Sequence, residues 1–316
     1  MVFLLQKTLI YSIPLLIVAL AGVFAERSGI INIALDGIMI FGSFIGAVTV
    51  YLFQRADILV GTQWLFIIAM AAAALSGAAF SLLLSFSAIK LKADQTIGGT
   101  ALNLLAPAIT LFIIKIFFSQ DKLVMPKDMG FVIRNDDLSD VGRVFFDKAY
   151  ISTYIAVIVF IILSILLYTT RFGLRLRACG EHPQAADSVG INVKKMRYLG
   201  TTISGALAGL GGYIYIATTA GGTSEGTVAG MGFLALAIMI FGNWKPIGIA
   251  LGSLMFGFLK CLGVVSSTIP FLKSLGLPMY FYNLIPYIAV LVVLAFTSKS
   301  SRAPKAEGIP YDKGMR

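Results

Sequence analysis

The chain has 316 residues, 58% of them apolar and only 13% charged, about half the charged fraction of a soluble domain. Repeated apolar runs, each close to the 20 or so residues that cross a hydrocarbon core about 30 Å thick, exclude a water-soluble globule. The net charge of +10 does not point to nucleic acid, because the Lys and Arg residues lie in loops, where they orient a membrane chain, and two isolated cysteines with one histidine leave no disulfide framework and no His-based metal site.

The first apolar run, 9–25, ends in Val23-Phe24-Ala25, a weak match to a signal-peptidase site. Lys7 alone precedes it and further spans follow at once, so a retained helix is expected. Further spans are predicted near 29–53, 64–86, 97–118, 151–168, 198–220, 228–242, 247–269 and 280–297, about nine in all within a range of eight to ten. The expected fold is all-α: a polytopic transmembrane bundle over 1–297, then a basic, disordered tail at 298–316. Ile38-Met39-Ile40-Phe41-Gly42 recurs as Ile238-Met239-Ile240-Phe241-Gly242, a hint of internal duplication.

Loop charge sets the expected topology. The loop from Ser119 to Tyr150 mixes Lys122, Lys127, Arg134, Arg143 and Lys148 with aspartates, whereas 170–197 carries Arg171, Arg175, Arg177, Lys194, Lys195 and Arg197 against Glu181 and Asp187. The tail adds Lys299, Arg302, Lys305, Lys313 and Arg316. Placing the two basic segments in the cytoplasm puts Lys90, Lys92 and Lys245 inside, and the Asp-rich loop and N-terminus outside.

Polar residues within apolar spans are functional candidates, because desolvating them costs several kcal/mol. Ser28 can cap a helix starting at Gly29, and Asn32 and Asp36, four apart, would then share one face. They form either a polar strip beside a solute path or a pair that serves packing. The whole stretch Glu26–Gly42, ERSGIINIALDGIMIFG, resembles the signature of permeases of the branched-chain amino acid/ribose ABC importer superfamily. Its Glu-Arg-Ser-Gly opening followed by Asn-Ile-x-Leu-[Asp/Glu]-Gly is most similar to the nucleoside branch, with Asp36 where members more often carry Glu.

This resemblance covers essentially the whole chain. It implies a bacterial cytoplasmic-membrane permease working with three partners: a basic-membrane-protein type lipoprotein that captures purine or other nucleosides outside, a second and non-identical permease, and an ATPase with two fused nucleotide-binding halves. Ribose and other simple sugars remain alternative solutes in that superfamily.

Further along, Asp94 or Thr96 can cap the fourth span, Gly98 and Gly99 permit close helix approach, and Pro107 can interrupt the backbone ladder near Asn103. The Thr-Ala-Leu-Asn run of this span is also similar to nucleoside permeases. Between Ala220 and Phe233, Gly, Ser and Thr let the chain leave and re-enter helix. Glu225 there either meets the solute or binding protein or is an ordinary external charge. Lys260 lies too deep in 247–269 to snorkel easily, and pairing with a carboxylate or carbonyl inside the bundle is expected, with Asp36 and Glu225 as the candidate carboxylates. Lys115 is expected to snorkel.

In the basic segment Arg171–Tyr198, Pro183 suits a helix start and Gly190 a stop. The intervening helix, Pro183 to Val189, is too short to persist alone. A basic loop resting on anionic lipid would explain the arginines but not this helix. The segment resembles the coupling helix of ABC permeases: Gly180, Glu181, Ala185, Ala186 and Gly190 match the superfamily pattern, and His182, Pro183 and Val189 complete the expected ATPase contact. No Gly-x-x-x-x-Gly-Lys-[Ser/Thr] phosphate loop occurs, so ATP hydrolysis falls to a separate protein. No acid–base constellation, catalytic residue or cofactor motif is found. A self-sufficient secondary transporter, with Asp36 as its coupling carboxylate, is the rival reading and leaves the short cytoplasmic helix unexplained.

Overall fold

The computed structural model describes residues 2–125, 132–133, 140–266, 274, 276, 278–297 and 302–314. In chain order the helices are α1 (Val2–Arg27), α2 (Leu35–Arg55), α3 (Gln63–Ser85, prolonged by the π-helical turn Phe86–Lys90), α4 (Gln95–Phe118), α5 (Asp140–Phe146), α6 (Ile151–Thr169), α7 (Arg171–Glu181), α8 (Pro183–Ser188), α9 (Val193–Thr218), α10 (Met231–Phe241), α11 (Pro246–Val265) and α12 (Met279–Thr297). Two antiparallel two-residue ladders join Leu123–Val124 to Thr223–Ser224 and Val132–Ile133 to Ala149–Tyr150. The all-α bundle expected from the sequence is therefore present. Lys127, Asp128, Arg134, Asp136, Asp137, Lys299, Arg316 and the end of the expected 247–269 span lie outside the described residues.

Among the described residues seven helices (α1, α2, α3, α4, α6, α9 and α11) are long and apolar enough to cross a membrane. Two of the expected spans differ in an instructive way. The 29–53 span becomes helical only at Leu35, and the 228–242 span is the 11-residue α10, which at 1.5 Å per residue covers about half of a bilayer core. Both are broken helices.

The core sits around α1 and α9. Residues 11–26 of α1 are all buried, as a helix apolar on every face must be, and α9, α11, α10 and α6 enclose it. The α2, α3 and α9 helices cross through glycines: a Cβ on Gly77 would stand 2.8 Å from the Gly209 Cα, and one on Gly209 would stand 2.9 Å from the Gly77 Cα. Such contact between backbones is how helices gain van der Waals packing where no water drives them together. Phe112 and Phe117 of α4 and Ile158, Ile161 and Ile162 of α6 stay exposed, the expected surface of a chain solvated by lipid.

The charged ends sort as the loop charges predict. Lys115 pairs with Asp121 at 2.5 Å at one end, and this hydrogen bond holds the Asp121 carboxyl below its usual range. At the other end Lys92, α7, α8, Trp244 and the tail lie together. The tail itself departs from expectation. Residues 302–314 are not a disordered appendage but are laid across that end, with Ala306 and Tyr311 buried.

Candidate functional site

The first break follows α1. Ser28 N–H and Gly29 N–H donate to the Ala25 and Glu26 carbonyls at 3.0 and 2.8 Å, the Ser28 hydroxyl donates to the Ala25 carbonyl at 2.6 Å, and Gly29 turns the chain at φ +93°. Ser28 thus closes α1 and does not cap the next helix, contrary to expectation. Asn32 consequently shares no helical face with Asp36, because residues 28–34 are not helical.

Irregular backbone at membrane depth requires partners, and here side chains from other helices supply them. Gln95 Oε1 accepts from Ile31 N–H at 2.7 Å. Asn103 Oδ1 accepts from Gly37 N–H at 2.7 Å and Asn103 Nδ2 donates to the Ile33 carbonyl at 2.9 Å. Asn32 Nδ2 donates to Ser204 Oγ at 2.8 Å. Asp94 caps α4 as expected, accepting from Thr96 and Ile97 N–H at 2.8 and 3.0 Å. Pro107 leaves α4 unbroken.

The second break precedes α10. Ala229 and Gly230 both take positive φ, +51° and +68°, and α10 starts at Met231. Its free amides need an acceptor, and Asp36 of α2 provides it: Oδ1 accepts from Gly232 N–H at 2.8 Å. Gly232 is required there, since a Cβ would stand 2.8 Å from the Asp36 Cβ. The two broken helices therefore begin side by side, tied by a carboxyl group, with Asn103 eight residues above the start of α4, about 12 Å along its axis. Discontinuous helices whose N-termini meet inside the membrane are how many transporters build a solute site, the partial positive charge of the free N–H groups facing it. Nearer the opposite end, Lys260 donates to the Tyr287 hydroxyl at 3.1 Å, lies 4.9 Å from the ring centroid, and Tyr287 donates to the Ala229 carbonyl at 3.0 Å. Its partner is thus Tyr287, in place of the expected Asp36 or Glu225.

The structure divides the sequence-derived candidates. Ser28 and Asn32 are fully buried and spend their donors on α1 and α9. Asp36, Asn103 and Lys260 are half-buried and Glu225 is exposed. The pentapeptide repeat does not occupy equivalent places: it lies in the first turns of α2 but at the end of α10.

At the basic end, α8 forms as Pro183–Ser188 with Pro183 in its first turn, one residue shorter than the Pro183–Val189 helix read from the sequence. Pro183 and Ala186 face inward; His182, Ala185, Val189 and Gly190 face outward, Val189 with 74% of its surface free. Pro183 and Ala186, both expected to contact the ATPase, thus turn away from it, and two more expected docking residues do the same. Gly180 is buried against the break, where a Cβ would stand 2.9 Å from the Arg27 carbonyl carbon; Glu181 pairs with Arg27 at 3.3 Å. Cys179 beside them is buried, which pushes its thiol up to about 11 despite the nearby Arg197, leaving it inert.

The sequence reading missed three residues at this end. Arg197, counted there with the surface cations, is 1% exposed and donates from Nη1 to the Ile309 carbonyl at 2.9 Å. Trp244 Nε1–H donates to the buried Glu26 at 2.6 Å. A clue existed for Arg197 in the small residues Gly200, Thr201 and Ser204 that follow it, the signature of a packed helix face. Among the described residues no group of three His, Cys, Asp or Glu side chains could hold a metal.

Comparison with known proteins adds the following. Residues 4–295 match the family model described as branched-chain amino acid transport system / permease component. The chain is 42% identical over 312 residues to the guanosine ABC transporter permease protein NupQ of Bacillus subtilis, covering 98% of this chain and 96% of that protein. It is 41% identical over 311 residues to the nucleoside ABC transporter permease protein NupC of Lactococcus lactis, covering 96% and 95%. A second Lactococcus lactis protein, the nucleoside ABC transporter permease protein NupB, is 30% identical over 164 residues, covering 50% of this chain and 45% of that one. No solved structure matches.

Proposed function

We infer, since this chain belongs to the family of permease components of branched-chain amino acid transport systems, that it is the membrane-spanning permease subunit of a bacterial ABC importer of nucleosides. The observation that carries the substrate class is likeness, along nearly the whole chain, to permeases named for guanosine and nucleosides. A nucleoside is uncharged and rich in hydroxyls and ring nitrogens. The paired helix starts at Asp36 and Gly232, with Asn103 beside them, offer such a solute hydrogen bonds without demanding charge. Glu225, Lys260 and Tyr287 line its approach from the opposite end.

The chain itself carries out no chemistry. A separate ATPase, with two fused nucleotide-binding halves, docks on the outward side of α8 through His182, Ala185, Val189 and Gly190. Val189, exposed on that side, supplies an apolar contact for it. A nucleoside-binding lipoprotein delivers solute at the Glu225 end, and a second, non-identical permease completes the pore. Two distinct permease chains named for nucleosides in one Lactococcus lactis strain support that pairing. The N-terminus is outside and the basic tail cytoplasmic, in the inner membrane.

The test is reconstitution of the permease pair with its ATPase and lipoprotein in proteoliposomes. ATP-dependent uptake of labelled guanosine, competed by other nucleosides and not by ribose or leucine, is expected. Uptake competed by ribose alone would assign a sugar, and uptake without the ATPase would refute the importer reading.

A further inference from the structure

Residues 302–314 touch elements that are otherwise distant in the chain. Arg302 N–H donates to Asn243 Oδ1 at 3.1 Å, beyond the end of α10. Ala306 N–H donates to the Gly180 carbonyl at 2.8 Å, and Gly308 N–H to the Gly29 carbonyl at 3.3 Å. Tyr311 is buried in one cluster with Cys179, Ala186 and Val193, so it packs on the inner face of α8. Asp312 pairs with Lys92 at 2.5 Å, and Lys313 lies 4.0 Å from Asp187 of α8. One short segment thus reaches from α8 to the break between α1 and α2.

Arg197 is the fixed point of this arrangement. Its guanidinium is buried and donates to two tail carbonyls, Ile309 at 2.9 Å and Ala306 at 3.5 Å. Its third contact is the break, for a Cβ on Gly29 would stand 2.8 Å from Nη2. None of the salt bridges among the described residues includes it. Burying an unpaired cation is costly, and apolar contacts could hold a tail more simply. What a guanidinium adds is a planar fork of donors that fixes the direction of the carbonyls it binds.

We propose that residues 302–314 are a strap that makes α8 and the α1–α2 break move as one body, with Arg197 as the positioning residue that holds it. This rests on the importer reading above: ATP-driven displacement of α8 reaches the helix starts at Asp36 through the tail as well as through the Arg27–Glu181 pair. Gly29 and Ile31, whose Cδ1 would stand 2.7 Å from a Cβ on Gly308 of the strap, lie in the same unwound link whose other end is Leu35. The outward side of α8 is left free for the ATPase.

The test uses the whole importer in proteoliposomes, comparing the intact chain with a deletion of residues 302–316. The deletion should retain the ATPase and its hydrolysis but raise the ATP consumed per solute moved at least roughly fivefold, the lower range of coupling between sites. A disulfide between Asp187→Cys and Lys313→Cys should leave that ratio unchanged, since the strap does not need to release. An unchanged ratio in the deletion, loss of the ATPase from it, or a disulfide that blocks transport would overturn the proposal. Should the deletion fail to insert, Ala306→Pro, which removes the N–H given to Gly180, decides by the same ratio. If the intact chain holds no ATPase, it is the importer reading that has failed.

Discussion

Replacing Asp36 with alanine takes away the acceptor for the first amides of α10. The carboxyl binds Gly232 N–H at 2.8 Å and also receives Phe233 N–H. Each bond contributes about 1 kcal/mol net, and each donor left bare in a low-dielectric interior costs about 1–3 kcal/mol. The hydrocarbon has no water to substitute, so a total near 3 kcal/mol is expected, about two decades in an equilibrium constant. Hydrogen–deuterium exchange in nanodiscs should therefore show the amides of 231–235 opening roughly 100-fold more often, with guanosine uptake falling in parallel. Asp36→Asn keeps a carbonyl acceptor of the same shape and should lose at most about tenfold, a single lost increment of about 1.4 kcal/mol. Exchange in the alanine variant within threefold of the parent, or equal behaviour of the two variants, would refute the cap.

Gly209→Ala forces a methyl group against Gly77 and the Ala73 backbone; overpacking of about 1–3 kcal/mol should lower the melting temperature by several degrees in a detergent thermal scan. Val189→Asp, at an exposed position, should leave melting unchanged and weaken ATPase retention on affinity resin at least roughly tenfold. Ala186→Asp, by contrast, buries a carboxylate beneath Tyr311 and should destabilise the chain by about 2–4 kcal/mol. Burial raises the Glu307 carboxyl to about 7, so the seated tail binds more protons than the released one between its free and seated values. Seating is thus fully favoured at low pH and weakens as pH rises through about 7. Glu307 hydrogen-bonds Glu26, the acceptor of the Trp244 indole. In a Trp64→Phe background, where Trp244 is the remaining tryptophan of the two, its fluorescence should therefore change between pH 6 and 8, and Glu307→Gln should reduce that change.

Much of the fold was legible because lipid imposes a length and apolarity that can be counted. The local signals at Asp94 and at Pro183 and Gly190 were also correct, since caps and stops depend on neighbours in sequence. The two breaks were not legible in the same way. Ile30, Ile31 and Ile33 read as more helix, and the residues that hold the unwound link, Gln95 and Asn103 on its backbone and Ser204 on the Asn32 side chain, come from other helices. Pairing of Lys260 with Tyr287 depends on how α11 meets α12, which periodicity does not encode. Composition described the tail as polar and therefore unstructured, yet its backbone finds partners in Gly180, Gly29 and Arg197. For the site, the sequence singled out the polar residues but not their division: Asn32 secures α9, while Asp36 joins two helix starts.

The enclosure of α1 has a consequence for how the protein is made. It is synthesised first, yet its wrapping helices come late: Val193, where α9 starts, follows Arg27 by 166 positions. At roughly 5–20 residues per second the ribosome needs about 10–30 s to deliver that helix. Throughout this interval Gln6, Ser12 and Glu26, all buried in the finished protein, face lipid or the insertion machinery. Ser12 waits longest, since Gly257 of α11, against which it packs, emerges after Trp244, the partner of Glu26. Substitutions that make α1 more polar should therefore reduce the yield of inserted chain before they alter the melting of the chains that do insert.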